Sequence, residues 1–271
     1  MRTAIWTLLA VGLAASGPVA SAHRGSRAEG DWCQDDDWGS RKAHHCEVRD
    51  VALQAGGVVE VDARPNGGVD VQGWDKSEIR LQAKVTAYAD TEAEAKELAS
   101  QVRIETAGGV RAVGPSRESR HRSWYVSYRL DVPRASDLRL QADNGGISIK
   151  DVAGTSEFDT VNGGIHLERV AGSVRGRTVN GGVHLELTGS EWDGQGLDVR
   201  TTNGGVHLTI PAGYNARLET GTVNGGVHSD LPVTSRRNRY VPGGRIETDL
   251  GSGGRVIHVE TTNGGLHVNT R

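Results

Sequence analysis

Phe158–Val170 reads FDTVNGGIHLERV, Val174–Leu187 reads VRGRTVNGGVHLEL, and Leu197–Ile210 reads LDVRTTNGGVHLTI. Leu218–Leu231, LETGTVNGGVHSDL, and His258–Thr270, HVETTNGGLHVNT, repeat the same sentence. Each has Thr two places before Asn, then two glycines, an aliphatic residue and His. The apolar residues alternate with polar ones, the period-2 signature of strands with one buried face. Asn-Gly between two such runs predicts a corner, since both residues tolerate positive φ.

Asn-Gly-Gly followed by an aliphatic residue occurs at Asn66, Asn144, Asn162, Asn180, Asn203, Asn224 and Asn263. From Asn144 onward the steps are 18, 18, 23, 21 and 39 residues. The last step is about double the others and predicts a degenerate copy midway, which Val241–Glu247, VPGGRIE, supplies. A near-constant period with the same residue at the same point of each unit favours a coil that advances along an axis over a meander of hairpins. Like residues of successive coils then stack at ~4.8 Å. The aliphatic residue after the glycines forms an inward ladder, and Asn144, Asn162, Asn180, Asn203, Asn224 and Asn263 form a hydrogen-bonded structural ladder at the corner, with Thr beside it. The fold expected is all-β, a parallel β-solenoid of about 18–23 residues per coil.

Composition agrees with a narrow core between two walls. The 271 residues include 38 Gly, about twice the usual ~7% share, with one Phe and one Met, and only 36% hydrophobic residues. Pro, at 7 residues, adds too little to Gly to reach the roughly 25–30% that marks disordered chain. A formal charge of −3 gives no basic surface for nucleic acid.

Outward from the repeats, the chain divides into a signal peptide at 1–22, a leader at 23–47 and a solenoid at 48–271, irregular over 48–134 and regular over 135–271. Arg2, the apolar run Ala4–Ala15 and the small residues Ala20-Ser21-Ala22 make a cleavable export signal. No later stretch approaches the ~20 apolar residues of a spanning helix, so the mature chain reads as exported, periplasmic or extracellular. In that oxidising setting Cys33 and Cys46 are expected to pair. The competing reading, a metal site from Cys33, His44, His45 and Cys46, fits no standard zinc spacing. Asp35–Asp37 reads as a solvated turn. Strands are expected in GGVVEVDA, NGGVDVQ, EIRLQAKVTAY, VRIETAGGVRAV and SWYVSYRLDVP. Asp90-Thr91 opens one helical segment whose Ala95, Leu98, Ala99 and Val102 share a face, expected to pack on or cap the solenoid.

The helix ADTEAEAKELASQV, the strand ending in Asp131-Val132-Pro133, then LRLQADNGGISIKDVAG and the T-x-N-G-G-[IV] units resemble a bacterial uncharacterised putative-adhesin family with β-strand repeats, related to autotransporter-adhesin head domains. The resemblance covers roughly residues 48–271. It implies a right-handed parallel β-helix on an exported or envelope protein, and it carries over no catalytic residue. This chain departs from the looser pattern of the family by placing His after the aliphatic residue in five units.

Those five, His166, His184, His207, His228 and His267, point outward if the aliphatic residue points in. Stacking makes a column of imidazoles near 5 Å apart, broken at the Pro242 unit, where Arg245 and Ile246 take the aliphatic and His places. Neighbouring imidazoles suit Zn²⁺, Cu²⁺ or Ni²⁺. Crowded imidazoles also resist joint protonation, which predicts depressed pKa values.

Three functions compete. The first is a noncatalytic exported scaffold presenting an extended surface to a protein or polysaccharide, with no cofactor. The second is transition-metal capture by the His column. The third is a polysaccharide-active β-helix enzyme, for which Trp192 and Tyr214 are the candidate sugar platforms and Trp124, Tyr125 and Tyr128 read as packing. No G-x-S-x-G, H-E-x-x-H or Walker loop occurs, so no catalytic residue is assigned. Ser235–Tyr240, SRRNRY, is a basic loop.

Overall fold

The structure is a computed structural model and describes residues 32–33, 42–54, 56–116, 121–231 and 243–271. The expected signal peptide, most of the leader with Asp35–Asp37, the basic loop at 235–240 and Pro242 lie outside the described residues.

Strands β1 (Ala43–Leu53), β2 (Val59–Asp62), β3 (Val69–Trp74) and β4 (Ile79–Ala89) precede one helix, α1 (Glu92–Ser100). After it come β5 (Arg103–Glu105), β6 (Val110–Val113) and β7 (Ser123–Pro133). The regular part opens with β8 (Leu138–Gln141) and β9 (Ile147–Lys150), then β10 (Ala153–Thr160) and β11 (Ile165–Glu168). It continues with β12 (Ala171–Asn180) and β13 (Val183–Glu186), then β14 (Gly196–Asn203) and β15 (Val206–Ile210). The last elements are β16 (Ala216–Asn224), β17 (Val227–Ser229), β18 (Gly244–Leu250), β19 (Val256–Asn263) and β20 (Leu266–Thr270).

These strands form two ten-stranded sheets. Each regular coil gives one strand to each sheet and turns between them at Asn-Gly-Gly. In the first sheet β3, β9, β11, β13, β15, β20 and β17 run parallel, extended at one end by β7, β4 and β1. In the second, β19, β14, β12, β10, β8 and β2 lie between β16 at one end and β6 at the other. The chain is therefore a flattened parallel stack, as the repeats predict. Two expectations about its coils fail.

The first failure concerns order. Strand β19 pairs with both β14 and β16, and β20 with both β15 and β17. The C-terminal coil is wedged between the two coils that precede it in sequence. The second concerns the expected degenerate copy. From Gly244 on, that segment is β18, an edge strand antiparallel to β16 and not a coil. Its Gly243 has φ +128, and a Cβ there would lie 2.3 Å from the Val223 carbonyl oxygen. This glycine thus serves the approach of a hairpin arm rather than a corner.

The inward residues are the aliphatic ones of the pattern. Ile147, Ile149, Ile165, Leu167, Val183, Leu185, Val206, Leu208, Leu266 and Val268 of the first sheet are buried against Leu140, Phe158, Val174, Leu197, Val199, Val259 and Leu218 of the second. Each fully buried Leu or Ile is worth roughly 1.5–3 kcal/mol of removed apolar surface. The lone Phe fits because the next coil offers Gly176 at the inward position; a Cβ there would meet Phe158 at 1.8 Å.

The corners depend on glycine for a reason other than positive φ. None of the Asn-Gly-Gly residues has a left-handed φ. Instead, the first glycine of each motif has no room for a side chain: a Cβ at Gly145, Gly163, Gly181, Gly204, Gly264 or Gly225 would lie 1.9–2.1 Å from the carbonyl oxygen of the first glycine one coil away. Close backbone approach lets the corners bond directly, as in Gly204 N–H to Asn263 O at 3.0 Å and Gly181 N–H to Asn203 O at 3.0 Å. Left-handed φ falls at the opposite bends, at Asp151 (57°), Arg169 (53°) and Gly172 (96°).

At the N-terminal end β1, β4 and β7 are antiparallel neighbours. Strand β1 begins at Ala43, inside the stretch expected as leader. Helix α1 starts with a capping box, Thr91 and Glu94 each accepting the other's backbone N–H. Its Ala95, Leu98 and Ala99 are buried, and it packs on β1 and β4. Arg49 of β1 donates to the Ala99 and Val102 carbonyls, tying down the helix C-terminus.

Candidate functional site

The Asn ladder runs the length of the stack. The Asn144 amide donates to Asn66 Oδ1 at 2.9 Å, Asn162 to Asn144 at 2.7 Å, Asn180 to Asn162 at 2.8 Å and Asn203 to Asn180 at 2.9 Å. Asn263 then donates to Asn203 at 2.8 Å, and Asn224 to Asn263 at 2.8 Å. The Thr partners do not bond one another. Thr160, Thr178, Thr201, Thr261 and Thr222 are buried, and each hydroxyl donates to a first-glycine carbonyl of the adjacent coil at 2.7–2.8 Å.

The outer face of the first sheet carries the imidazoles. Because the C-terminal coil is inserted, His267 stands between His207 and His228, and the five rings form one file without the gap expected at the Pro242 unit. His184 and His207 stack at 4.8 Å with planes 5° apart, and His207 and His267 at 4.9 Å and 4°. The end pairs are looser: His166 to His184 at 6.2 Å and 32°, His228 to His267 at 5.9 Å and 46°. Burial lowers the pKa of His166, with Lys150 adding to it. For His184 burial again leads, followed by the neighbouring His207 and His166.

Among the described residues no group of three or more His, Cys, Asp or Glu is placed to hold a metal ion. Three of the acids beside the file face cations, and Asp230 lies 3.9 Å from His228. Lys150 Nζ lies 3.3 Å from Glu168, Arg271 pairs with Glu186, and Arg129 lies 4.0 Å from Asp70. At the bend below, Arg169 forks onto both oxygens of Asp151 at 2.7 Å, and that guanidinium, with Gln72 as a further donor, holds the carboxyl well below the usual carboxylate range.

Cys33 and Cys46 are joined in a disulfide, which removes them as thiolate ligands and overturns the Cys-His metal set. The bond fixes Trp32 over the same outer face, its ring 4.2 Å from the Arg129 guanidinium carbon and 5.4 Å from Lys84 Nζ. An open cleft of about 640 Å³ lies between this indole and the head of the imidazole file. Trp32 is the residue that sequence reasoning missed; no repeat contains it, and only its neighbour Cys33 hinted that it is anchored.

The other aromatic candidates are packing residues. Trp192 is buried and donates to the Gly172 carbonyl at 3.0 Å, so it is no sugar platform. Tyr214 is buried too, its phenol pushed up to about 12 by burial and by Glu191. Trp124 and Tyr128 lie in the core, and Tyr125 stacks on Tyr88 at 6.2 Å.

No curated protein matches this chain. Among solved structures, that of a putative cell adhesion protein from Clostridium sporogenes is similar at 10% identity and a TM-score of 0.38, over 84% of this chain and 100% of that one. No helix among the described residues is long and apolar enough to cross a membrane. The family model described as Toastrack DUF4097 matches residues 65–269, and the chain belongs to that uncharacterised family.

Proposed function

We propose that this chain is a noncatalytic exported protein, periplasmic or extracellular, that presents the outer face of its first sheet as an extended binding or adhesion surface. The observation that carries the reading is the unbroken file of five exposed imidazoles on a parallel face, with an open cleft at its head. A stack of this kind offers one long surface whose residues repeat at each step. A noncatalytic role is supported by Glu168, Glu186 and Asp70 of this face, each of which lies against a cation, Lys150, Arg271 and Arg129. Export is supported by the signal pattern at 1–22.

The test is an array of glycans and purified cell-surface proteins probed with the labelled chain, run beside an assay for released reducing ends. Retention that falls when His184→Glu and His207→Glu are combined, with no product formed, is the expected result. Product formation, or retention indifferent to the double substitution, overturns the reading.

The stacked imidazoles favour a second reading, weak capture of Zn²⁺, Cu²⁺ or Ni²⁺ by neighbouring pairs. Calorimetric titration decides it: heats that vanish in His184→Ala with His207→Ala support capture, and their persistence or absence sinks it.

A further inference from the structure

The two glycines of each motif differ. The first is forced by backbone contact at 1.9–2.1 Å, whereas a Cβ on the second at Gly68, Gly146, Gly164, Gly182 or Gly205 would lie 3.0–3.4 Å from a carbonyl oxygen, and at Gly226 nothing lies within 4 Å. Stacking therefore crowds the second position only mildly. Alternation sends it outward with the His two places on, and a Cβ at Gly265 would meet His267 Nε2 at 3.5 Å. The result is a gutter floored by bare backbone, running beside the imidazoles across seven strands, about 29 Å at ~4.8 Å per step.

The gutter opens at one end into the cleft of about 640 Å³, within the size range of ligand sites. Trp32 walls it, and Asp70, Ser148, Lys150, His166 and His184 line it. Apart from the imidazoles its lining carries one acid, Asp70, and one base, Lys150, while Arg129 and Lys84 lie against the Trp32 ring. Both imidazoles at this end are biased toward their neutral form. Such a lining has no excess of either sign to attract an anionic or cationic polymer. The backbone groups of the floor are engaged within the sheet, so an extended peptide finds no ladder to join, as it would at a sheet edge. What remains is an indole wall with hydroxyl, carboxylate, ammonium and imidazole groups lining the cleft beside it, the complement of a ring that is apolar on its face and hydroxylated at its rim.

We infer that the Trp32 cleft is a subsite for a sugar ring of an uncharged linear glycan, whose following residues lie along the glycine gutter beside the imidazole file. The inference rests on the binding-face reading above and specifies its ligand.

The experiment is calorimetric titration of the full chain with three neutral hexasaccharides, β-1,4-linked glucose, α-1,4-linked glucose and β-1,4-linked N-acetylglucosamine. Their monosaccharides, an acidic hexasaccharide of galacturonate and an extended neutral peptide serve as comparisons. At least one neutral hexasaccharide is expected to bind, more tightly than its monosaccharide. Trp32→Ala and the cleft-filling Ser148→Trp are each expected to weaken it about tenfold or more, with the thermal midpoint of Ser148→Trp unchanged. Silence toward all three hexasaccharides, or binding that both variants leave intact, overturns the inference. Should the acidic glycan or the peptide bind instead and respond to the His184→Glu, His207→Glu pair, the glycan assignment fails while the binding face stands; silence toward every probe and across the array removes both.

Discussion

The side-chain amide of Asn263 donates to Oδ1 of Asn203 at 2.8 Å across 60 residues of sequence, while Asn224, nearer in the chain, bonds only to the far side of Asn263. This one contact displays the order of the last three coils.

Cross-linking tests that order. Thr202, Thr262 and Val223 are exposed and sit at equivalent points of the three coils. Adjacent strands lie within the 4.4–6.8 Å Cα separation a disulfide needs, and strands two steps apart, at about 9.6 Å, do not. Thr202→Cys with Thr262→Cys is expected to form an internal disulfide, and Thr202→Cys with Val223→Cys to stay reduced, as read by mass spectrometry. The reverse pattern would restore the sequential stack.

The unequal glycines give a second expectation. Gly163→Ala places a methyl 2.0 Å from the Gly145 carbonyl oxygen, which only separation of two coils relieves, and is expected to cost about 3 kcal/mol or more. Gly164→Ala meets its nearest atom at 3.4 Å and is expected to change stability by about 0.5 kcal/mol. Urea denaturation of the two variants side by side checks the contrast; equal losses refute the account of the corner.

Position along the Asn ladder should also show. Asn180→Ala breaks the bond it donates to Asn162 and the one it accepts from Asn203, whereas Asn224→Ala loses the one it donates to Asn263. With an exposed bond worth about 0.5–1 kcal/mol, the interior variant is expected to lose about twice as much as the terminal one, measured by chemical denaturation.

Acid should loosen the imidazole face before it reaches the carboxylates. His166 and His184 have pKa values lowered in the fold, so the unfolded chain binds more protons in that range. Their contribution is present above the unfolded value of about 6.5 and is lost as pH falls through the depressed folded values. Asp151, held low by Arg169, keeps its contribution until pH drops below about 4. Stability measured from pH 8 to 3 should therefore decline in two stages. Removing both imidazoles with His166→Gln and His184→Gln should flatten the first stage alone; a first stage that persists excludes these rings as its source.

Much of this was legible in the repeats because stacking copies residue identity into position. The Thr-x-Asn-Gly-Gly-aliphatic-His string told which residue faces in, which faces out and which meets its own kind. The same identity hid the order of coils: Asn203 has no side-chain means of telling Asn224 from Asn263, and the choice rests on connections and on β18 closing the edge. Gly243-Gly244 misled for a related reason, since a glycine pair before an aliphatic residue marks either a corner or the approach of an antiparallel arm. Left-handed φ and close backbone approach select the same residue, so glycine at the corner does not by itself tell which of the two is demanded, and here it is close approach. Trp32 stood outside any period, and its place depends on a disulfide and a guanidinium brought from distant strands.

The wedged coil also dictates a timetable. A ribosome delivers Asn203 and Asn224 before Asn263, so the nascent chain holds the two flanks of a slot whose filler has yet to be made. Assembly that simply winds forward from the amino terminus would seal the gap and shut out β19 and β20. Either that slot stays open or β16 and β17 stay undocked until β19 and β20 are available to fill it.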